Sequence, residues 1–379
     1  PPNKRRLLLF TGMLMVGLAL SQVVEGSFSL AGYAAWSKVV GLATMLCLSF
    51  LMINVGYEFD IDKSRLGGYF KDYVVAMSAA GLPWILVAMW LHWALPGGPM
   101  AWGPALLMAR FAAPTSAGIL FSMLEAAGFK ETWLFKKARV LAIFDDLDTI
   151  LLMIPLKMFL VGFKWELTFD LVIVSVLLSI IWRKLHSVRL PSTSTWTLAY
   201  AAAVTGGCEA LRLLTQGRVH MEVLLPAFAV GCVARLAPLA QAPGGAGGEP
   251  RAAEDREELI KGVVTTVFML LVGLSMPSLR GAGSLLGPLP LASHVLAVTV
   301  LMVIGKMMLL FCYRDESDLR TRLALSLGMC PRGEVGAGVI AVSLALGVRG
   351  PAVAVAVLSL AVNLLLSSGF IVAIEALLA

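Results

Sequence analysis

The chain has 379 residues, of which 59% are hydrophobic and 14% are charged, and its formal net charge is +6. Together with a mean hydropathy of +0.85, this composition excludes a water-soluble globular domain and predicts an all-α polytopic membrane protein surrounded by lipid. Basic connections between helices account for the positive charge, so no nucleic-acid partner is expected.

Twelve apolar segments are long enough to cross a bilayer as helices, which requires about 20 residues each. They lie near residues 7–25, 38–57, 73–95, 101–125, 138–160, 167–182, 195–214, 221–240, 259–278, 287–312, 322–347 and 351–377. Most of the 30 Lys and Arg residues fall in connections on the side of the N-terminus. Because basic connections stay in the cytoplasm, we expect both termini to be cytoplasmic and the protein to lie in a cell membrane.

Residues 241–258 form the clearest connection between segments. They are rich in Gly and Pro and then become charged, which predicts a cytoplasmic linker. The five cysteines and four histidines are scattered singly along the chain. We therefore expect no disulfide, no metal cluster and no bound cofactor.

The fourth and eleventh segments contain prolines, Pro114 in APTSAG and Pro331 in PRGE. A proline inside a helix removes a backbone hydrogen bond, and in lipid such a break persists where it lines a polar site. Asp145 and Asn363 follow the two prolines at nearly the same interval, each in the next segment. The two copies are offset by seven helices, and an odd offset makes them run through the membrane in opposite directions. The pattern predicts inverted repeats with two broken helices that cross at the midplane, and two ordinary kinks are the alternative.

The fifth segment carries Asp145, Asp146 and Asp148 within an otherwise apolar stretch. A charge near the centre of a membrane helix costs about 2.5–3.5 kcal/mol, and ionisable residues at that depth mark an ion or proton pathway. Asp145 and Asp148 share one helix face, whereas Asp146 points about 100° away. One acid can therefore pair with a base while another binds a cation.

Two other segments carry buried charges that need partners. Lys306 lies midway along the tenth segment, and its expected partner is an aspartate of the fifth. Arg332 and Glu334 lie at the second break. They are expected to pair with each other or with an acid such as Glu209, and they either hold the break together or contact the substrate.

A buried carboxylate that holds either a cation or protons is sufficient for antiport. The loaded site crosses by alternating access, whereas the empty, charged site does not. Thr115, Ser116 and the carbonyls freed at the first break offer neutral oxygen ligands for a small hard cation.

The segments AAPTSAGILFSMLEAAGF, ARVLAIFDDLDTILL, MLLVGLSMPSL, IGKMM and PRGEVGAGVIAVSLALGV occur in this order. In this order they resemble the monovalent cation:proton antiporters, specifically the bacterial sodium/proton exchangers with paired aspartates. The resemblance extends over essentially the whole chain. It implies the antiporter fold, a homodimer, electrogenic exchange of sodium or lithium for protons, and a role in pH homeostasis.

The resemblance also implies residue roles. Asp146 is the principal carboxylate, binding protons or a transient Na+, and Asp145 forms a salt bridge with Lys306. Thr115 and Ser116 fall at the crossing of the broken helices. Helices of approximately 73–160 and 287–377 form the ion-translocating core, and those of approximately 7–57 and 195–278 form the dimerisation domain.

Asp148 departs from the family pattern. It is either an additional ion-binding acid that alters stoichiometry or ion choice, or a polar residue satisfied by a helix end or by Lys157. Asn363 is a further possible site residue, because it occupies the position in the second repeat that Asp145 occupies in the first.

Two other functions fit the sequence less well. A sodium-coupled organic anion symporter of a related fold requires a larger polar cavity and leaves Lys306 unexplained. An intramembrane aspartyl protease needs catalytic aspartates on two helices and a Gly-x-Gly-Asp sequence, which is absent. We therefore expect a secondary active transporter, not an enzyme, and predict no catalytic residues.

Overall fold

The computed structural model describes residues 2–27, 30–57, 66–95, 100–145, 148, 165–215, 223–235, 250–275, 287–345 and 347–378. The helices are α1 (Pro2–Ser27), α2 (Leu30–Tyr57), α3 (Leu66–Trp93), α4 (Trp102–Ala109), α5 (Ala117–Ala126), α6 (133–145), α7 (Trp165–Lys184), α8 (Ser194–Leu214), α9 (Leu224–Val233), α10 (Pro250–Leu274), α11 (Pro288–Met307), α12 (Leu319–Gly328), α13 (Glu334–Ala345) and α14 (Pro351–Leu378). Short 3-10 turns, Arg110–Ala112 and Met308–Phe311, continue α4 and α11.

Within the described ranges, five helical stretches are long and apolar enough to cross a membrane. They are Ala35–Tyr57, Gly67–Trp93, Trp102–Ala126, Pro288–Phe311 and Pro351–Leu378. The prediction of an all-α polytopic membrane protein is confirmed.

Both proline-containing segments are broken, as the sequence predicts. The fourth segment consists of α4 and α5, which are joined by the 3-10 turn and by non-helical residues 113–116. The eleventh consists of α12 and α13, with residues 329–333 between them. In each case the proline lies in the non-helical stretch, where its missing N–H and the clash of its ring with a preceding turn cost no helical hydrogen bond.

The chain divides into two compact units. The first comprises Pro1–Ala34, Arg65–Leu156 and Val272–Ala379, and the second comprises Ala35–Ser64 and Lys157–Leu271. Both broken helices and α6 belong to the first unit.

In the first unit, α11 packs against both α3 and α14. A glycine, Gly305, allows the close approach of α11 to α3. A Cβ atom at this position would lie 2.5 Å from the backbone nitrogen of Pro83 and 2.7 Å from its Cα. Small residues at such contacts let membrane helices pack closely. The next residue along α11 is Lys306, so this contact also sets the position of the lysine.

In the second unit, α9 packs against α7 and α8, and Gly231 of α9 contacts the backbone of Ile53 in α2. The predicted eighth span, 221–240, is helical only over Leu224–Val233 within its described part. The chain then becomes extended at Ala234–Arg235 (β2), which pairs in parallel with Val188–Arg189 (β1). His186 also contacts the Ala234 carbonyl at 2.9 Å, so backbone groups at the helix end have partners.

The predicted linker lies only partly within the described residues. Residues 250–258 are the first turns of α10, and the earlier part, residues 241–249, lies outside the described ranges. The charged stretch is therefore helical and continuous with the apolar part of α10.

A charged cluster fixes the loop that joins α11 to α12. Lys137 lies 3.2 Å from Asp72 Oδ1 and 3.0 Å from Glu316 Oε2. Tyr313, which has a positive φ of 56°, donates a hydrogen bond of 2.6 Å to Asp72, and Lys71 contacts Glu316 at 3.2 Å. The cluster therefore ties α3 and α6 to this loop.

Candidate functional site

The first break ends at the N-terminus of α5. Pro114 has no backbone N–H and disrupts the preceding turn, and residues 113–116 belong to neither helix. Ser116 caps α5, where its Oγ accepts a hydrogen bond of 3.4 Å from the Ile119 N–H. Thr115 and Ser116 are both buried.

The two breaks cross and supply each other's hydrogen-bond partners. The Ser116 N–H donates to the Pro331 carbonyl at 2.9 Å, and the Thr115 hydroxyl donates to the Met329 carbonyl at 2.9 Å. Backbone groups freed in lipid require such partners. The hydroxyl of Thr115 keeps lone pairs after it donates its hydrogen, so its oxygen remains chemically able to ligate a cation.

Asp145 joins α6 to this crossing. Its Oδ2 accepts a hydrogen bond of 2.7 Å from the backbone N–H of Thr115. The same oxygen lies 3.1 Å from Lys306 Nζ, and both side chains are 0% exposed. The structure thus brings together Asp145 of α6, Thr115 of the first break and Lys306 of α11.

The buried pair has a direct consequence for charge. Removing two ions from water is costly, and their mutual attraction offsets this cost only when the geometry is close and other hydrogen bonds help. Asp145 has both, from Lys306 and from the Thr115 N–H. A neutralised pair therefore lies next in sequence to Asp146.

Arg332 is buried at the second break and is bonded to backbone oxygens. Its Nε donates to the Ala112 carbonyl at 2.8 Å, and its Nη1 donates to the Cys330 carbonyl at 2.6 Å. The Arg332 backbone N–H donates to Asn363 Oδ1 of α14 at 2.8 Å. The expected acid Glu209 instead bonds Arg212 at 2.7 Å and lies 3.6 Å from Lys38.

Asp148 is 1% exposed, and its carboxylate interacts with the Tyr73 hydroxyl of α3. Its backbone carbonyl accepts a hydrogen bond of 3.1 Å from Arg110 Nη2. The Arg110 guanidinium lies 4.9 Å from the centre of the Trp84 ring, a cation–π distance. A second buried cation thus contacts α6 one turn beyond Asp145.

Three residues of the predicted site are not placed. Asp146 and Lys157 lie outside the described residues, and of Glu334 only the backbone is described. The roles predicted for them stay predictions.

Sequence reasoning missed two contributors. Arg110 stands alone in an apolar helix, and this isolation was a usable signal of a buried role. The contact of Gly305 with Pro83 carries no such signal, because glycines are frequent in membrane helices.

Comparison with known proteins gives a consistent picture. The sequence profile of the family described as sodium/hydrogen exchanger, transmembrane, matches residues 3–374. The chain is similar in structure to the sodium proton antiporter MjNhaP1 from Methanocaldococcus jannaschii at pH 8, with a TM-score of 0.57 and 14% sequence identity. The match covers 97% of this chain and 92% of that chain. Such a likeness shows the fold, and the predicted antiporter fold is confirmed. Comparison with curated protein sequences finds no match.

Proposed function

Because the chain belongs to the sodium/hydrogen exchanger family, whose members exchange cations for protons across a membrane, we propose that it exchanges sodium or lithium for protons by alternating access. The exchange is electrogenic, with more protons than cations moved in each cycle. This stoichiometry follows from the resemblance to exchangers with paired aspartates. The chain is a secondary active transporter without a resident cofactor.

The observation that carries the proposal is the buried Asp145–Lys306 pair at the crossing of two broken helices. The pair compensates its own charges, which leaves Asp146 and Asp148 as the acids of this segment that can bind and release a cation or a proton. The resemblance to paired-aspartate exchangers assigns the principal role to Asp146. Asp146 binds either a cation or protons, and Thr115 and Ser116 contribute neutral oxygens from the crossing. A small cation prefers such hard oxygen ligands.

The requirement that the site crosses only when loaded follows from its charge. An empty Asp146 carries a negative charge that is costly to move through an apolar barrier, whereas a site loaded with a cation or a proton has no such cost. Both broken helices and α6 belong to one compact unit, which supports the proposal that this unit carries the ion.

The proposal extends to assembly and location. We assign dimerisation to the helices of approximately 7–57 and 195–278. We place the protein in a bacterial inner membrane with both termini in the cytoplasm, where exchange serves pH homeostasis. Cross-linking in native membranes tests the dimer. Labelling of single cysteines introduced near each terminus tests the orientation.

The direct test uses purified protein in liposomes with a trapped pH dye. Sodium, lithium and potassium are added in turn, with and without a potassium–valinomycin voltage clamp. Proton efflux driven by sodium or lithium and altered by voltage is the expected result. A pH response that is unchanged by the voltage clamp would reject electrogenic exchange. No pH response to any cation would reject antiport and favour sodium-driven uptake of an organic anion.

Replacement of the central acid sharpens this test. Asp146→Asn is expected to abolish exchange, because the amide can neither ionise nor release a proton at neutral pH. The matched control is Asp318→Asn, since Asp318 caps α12 outside the apolar spans and Asn is an equally good N-cap. Exchange at the wild-type rate in Asp146→Asn would remove this residue from the central role.

A further inference from the structure

The hydrogen bonds at the two breaks repeat each other. In the first repeat the residue after the proline, Thr115, donates its backbone N–H to Asp145 Oδ2 at 2.7 Å. In the second repeat the residue after the proline, Arg332, donates its backbone N–H to Asn363 Oδ1 at 2.8 Å. Each acceptor lies in the helix that follows the broken helix, which is α6 in the first repeat and α14 in the second.

The two acceptors differ in charge, although both are buried. Asp145 is an acid and has Lys306 as its counter-ion at 3.1 Å. Asn363 is a neutral amide beside Arg332, whose guanidinium donates to the carbonyls of Ala112 and Cys330. The amide oxygen therefore repeats the contact made by the carboxylate without adding a second negative charge.

The Asn363 contact is connected to the first break through the backbone. The residue before Arg332 is Pro331, and its carbonyl accepts the Ser116 N–H at 2.9 Å. A shift of the Pro331–Arg332 peptide therefore displaces Ser116, which lies beside Thr115. The Asn363 side chain is thus connected to the proposed cation ligands through two hydrogen bonds, Arg332 N–H to Asn363 and Ser116 N–H to Pro331.

We propose that Asn363 is a positioning residue for ion exchange: its amide oxygen holds the second break in register with the first, and its neutrality confines the negative charge of the site to α6. This inference rests on the proposed antiport function. Asn363 itself does not contact the cation.

The test compares sodium-dependent exchange in liposomes for wild type, Asn363→Ala, Asn363→Asp and Ser367→Ala. Ser367 is the matched control, because it is buried in the same helix and donates at 3.0 Å to the Asn363 backbone carbonyl without contacting the break. Asn363→Ala is expected to raise the KM for sodium about tenfold, equivalent to about 1.4 kcal/mol, with a smaller change in kcat. Ser367→Ala is expected to keep the wild-type KM.

Asn363→Asp separates the two parts of the proposal, because it keeps the acceptor oxygen and adds a titratable group. Its KM for sodium is expected to stay within about threefold of wild type where the new acid is protonated. The pH profile of exchange is expected to shift, because the introduced carboxyl lies against the Arg332 backbone N–H. The charge of Arg332 in turn interacts with Lys306 of α11 and Asp145 of α6, so a new charge beside it changes the electrostatics of the site.

The outcomes are distinct. A wild-type KM in Asn363→Ala overturns the positioning role, and a wild-type pH profile in Asn363→Asp overturns the need for neutrality. If Asn363→Ala does not fold, Asn363→Asp decides: a retained KM with a shifted profile supports the proposal, and a tenfold higher KM at every pH overturns it. Absence of exchange in the wild type would instead reject the antiport function.

Discussion

Replacement of Lys306 by Met tests whether the buried ion pair holds the site together. Methionine nearly matches the length of lysine and is apolar, so the change removes the charge without leaving a large cavity. Asp145 then keeps the Thr115 N–H at 2.7 Å but loses the ammonium at 3.1 Å. The variant therefore leaves a buried acid without its counter-ion.

The expected cost follows from this geometry. Two unit charges 3.1 Å apart attract each other by about 5 kcal/mol at an effective dielectric constant near 20. Removing one partner of a buried pair typically costs about 3–5 kcal/mol, whereas replacing both partners by neutral groups is close to neutral. We therefore expect Lys306→Met to lose about 3–5 kcal/mol of unfolding free energy. The double variant with Asp145→Asn should lie within about 1 kcal/mol of wild type, because Asn can still accept the Thr115 N–H.

The assay is reversible unfolding in mixed micelles of a mild detergent and dodecyl sulfate, followed by tryptophan fluorescence. Lys38→Met serves as the control for loss of a lysine. Lys38 lies 3.6 Å from Glu209, and its side chain is 53% exposed, so its loss should cost less than about 1 kcal/mol.

Two results would refute the reasoning. One is a Lys306→Met variant no less stable than Lys38→Met, which would mean that the pair contributes nothing to stability. The other is a double variant as unstable as Lys306→Met alone, which would attribute the loss to packing instead of to the unpaired acid.

Two further predictions concern packing and pH. Gly305→Ala should markedly lower the melting temperature, because its Cβ would lie 2.5 Å from the Pro83 nitrogen. The control Gly369→Ala should not, because its Cβ would have no atom within 4 Å. Equal melting temperatures of the two variants would contradict the Gly305 contact. Burial opposes ionisation of Glu316, but hydrogen bonds and attraction from lysines outweigh it and lower the pKa of this carboxyl. A lowered pKa gives stability that is present above the ordinary value and is lost as the pH falls through the lowered one. The deficit in melting temperature of Glu316→Gln at pH 7 should therefore close below about pH 4, and a constant deficit would exclude this linkage.

Much of the architecture could be predicted from the chain alone, because lipid makes the requirements of each residue strict. A long apolar run must be a helix, so composition and length were enough for the membrane class. Pro114 and Pro331 indicated two broken helices, and both breaks are present. A lone Lys306 in an apolar helix needed an acid, and Asp145 is in contact with it.

The tertiary structure alone decided which groups meet. Lys306 and Asp145 are 161 residues apart in sequence, and Arg332 and Ala112 are 220 apart. In a soluble helix the apolar stripe shows which face is buried, but in a bilayer lipid-facing and protein-facing surfaces are both apolar. The sequence predicted that Arg332 needed partners and proposed an acid, either Glu334 or one such as Glu209. The fold adds two partners, the carbonyls of Ala112 and Cys330, and the pairing with Glu334 stays a prediction. Three other features likewise depend on which helices are neighbours: the contact of Gly305 with Pro83, the bond from Arg110 to Asp148, and the matching roles of Asp145 and Asn363. Helical periodicity in an apolar chain does not encode which helices are neighbours.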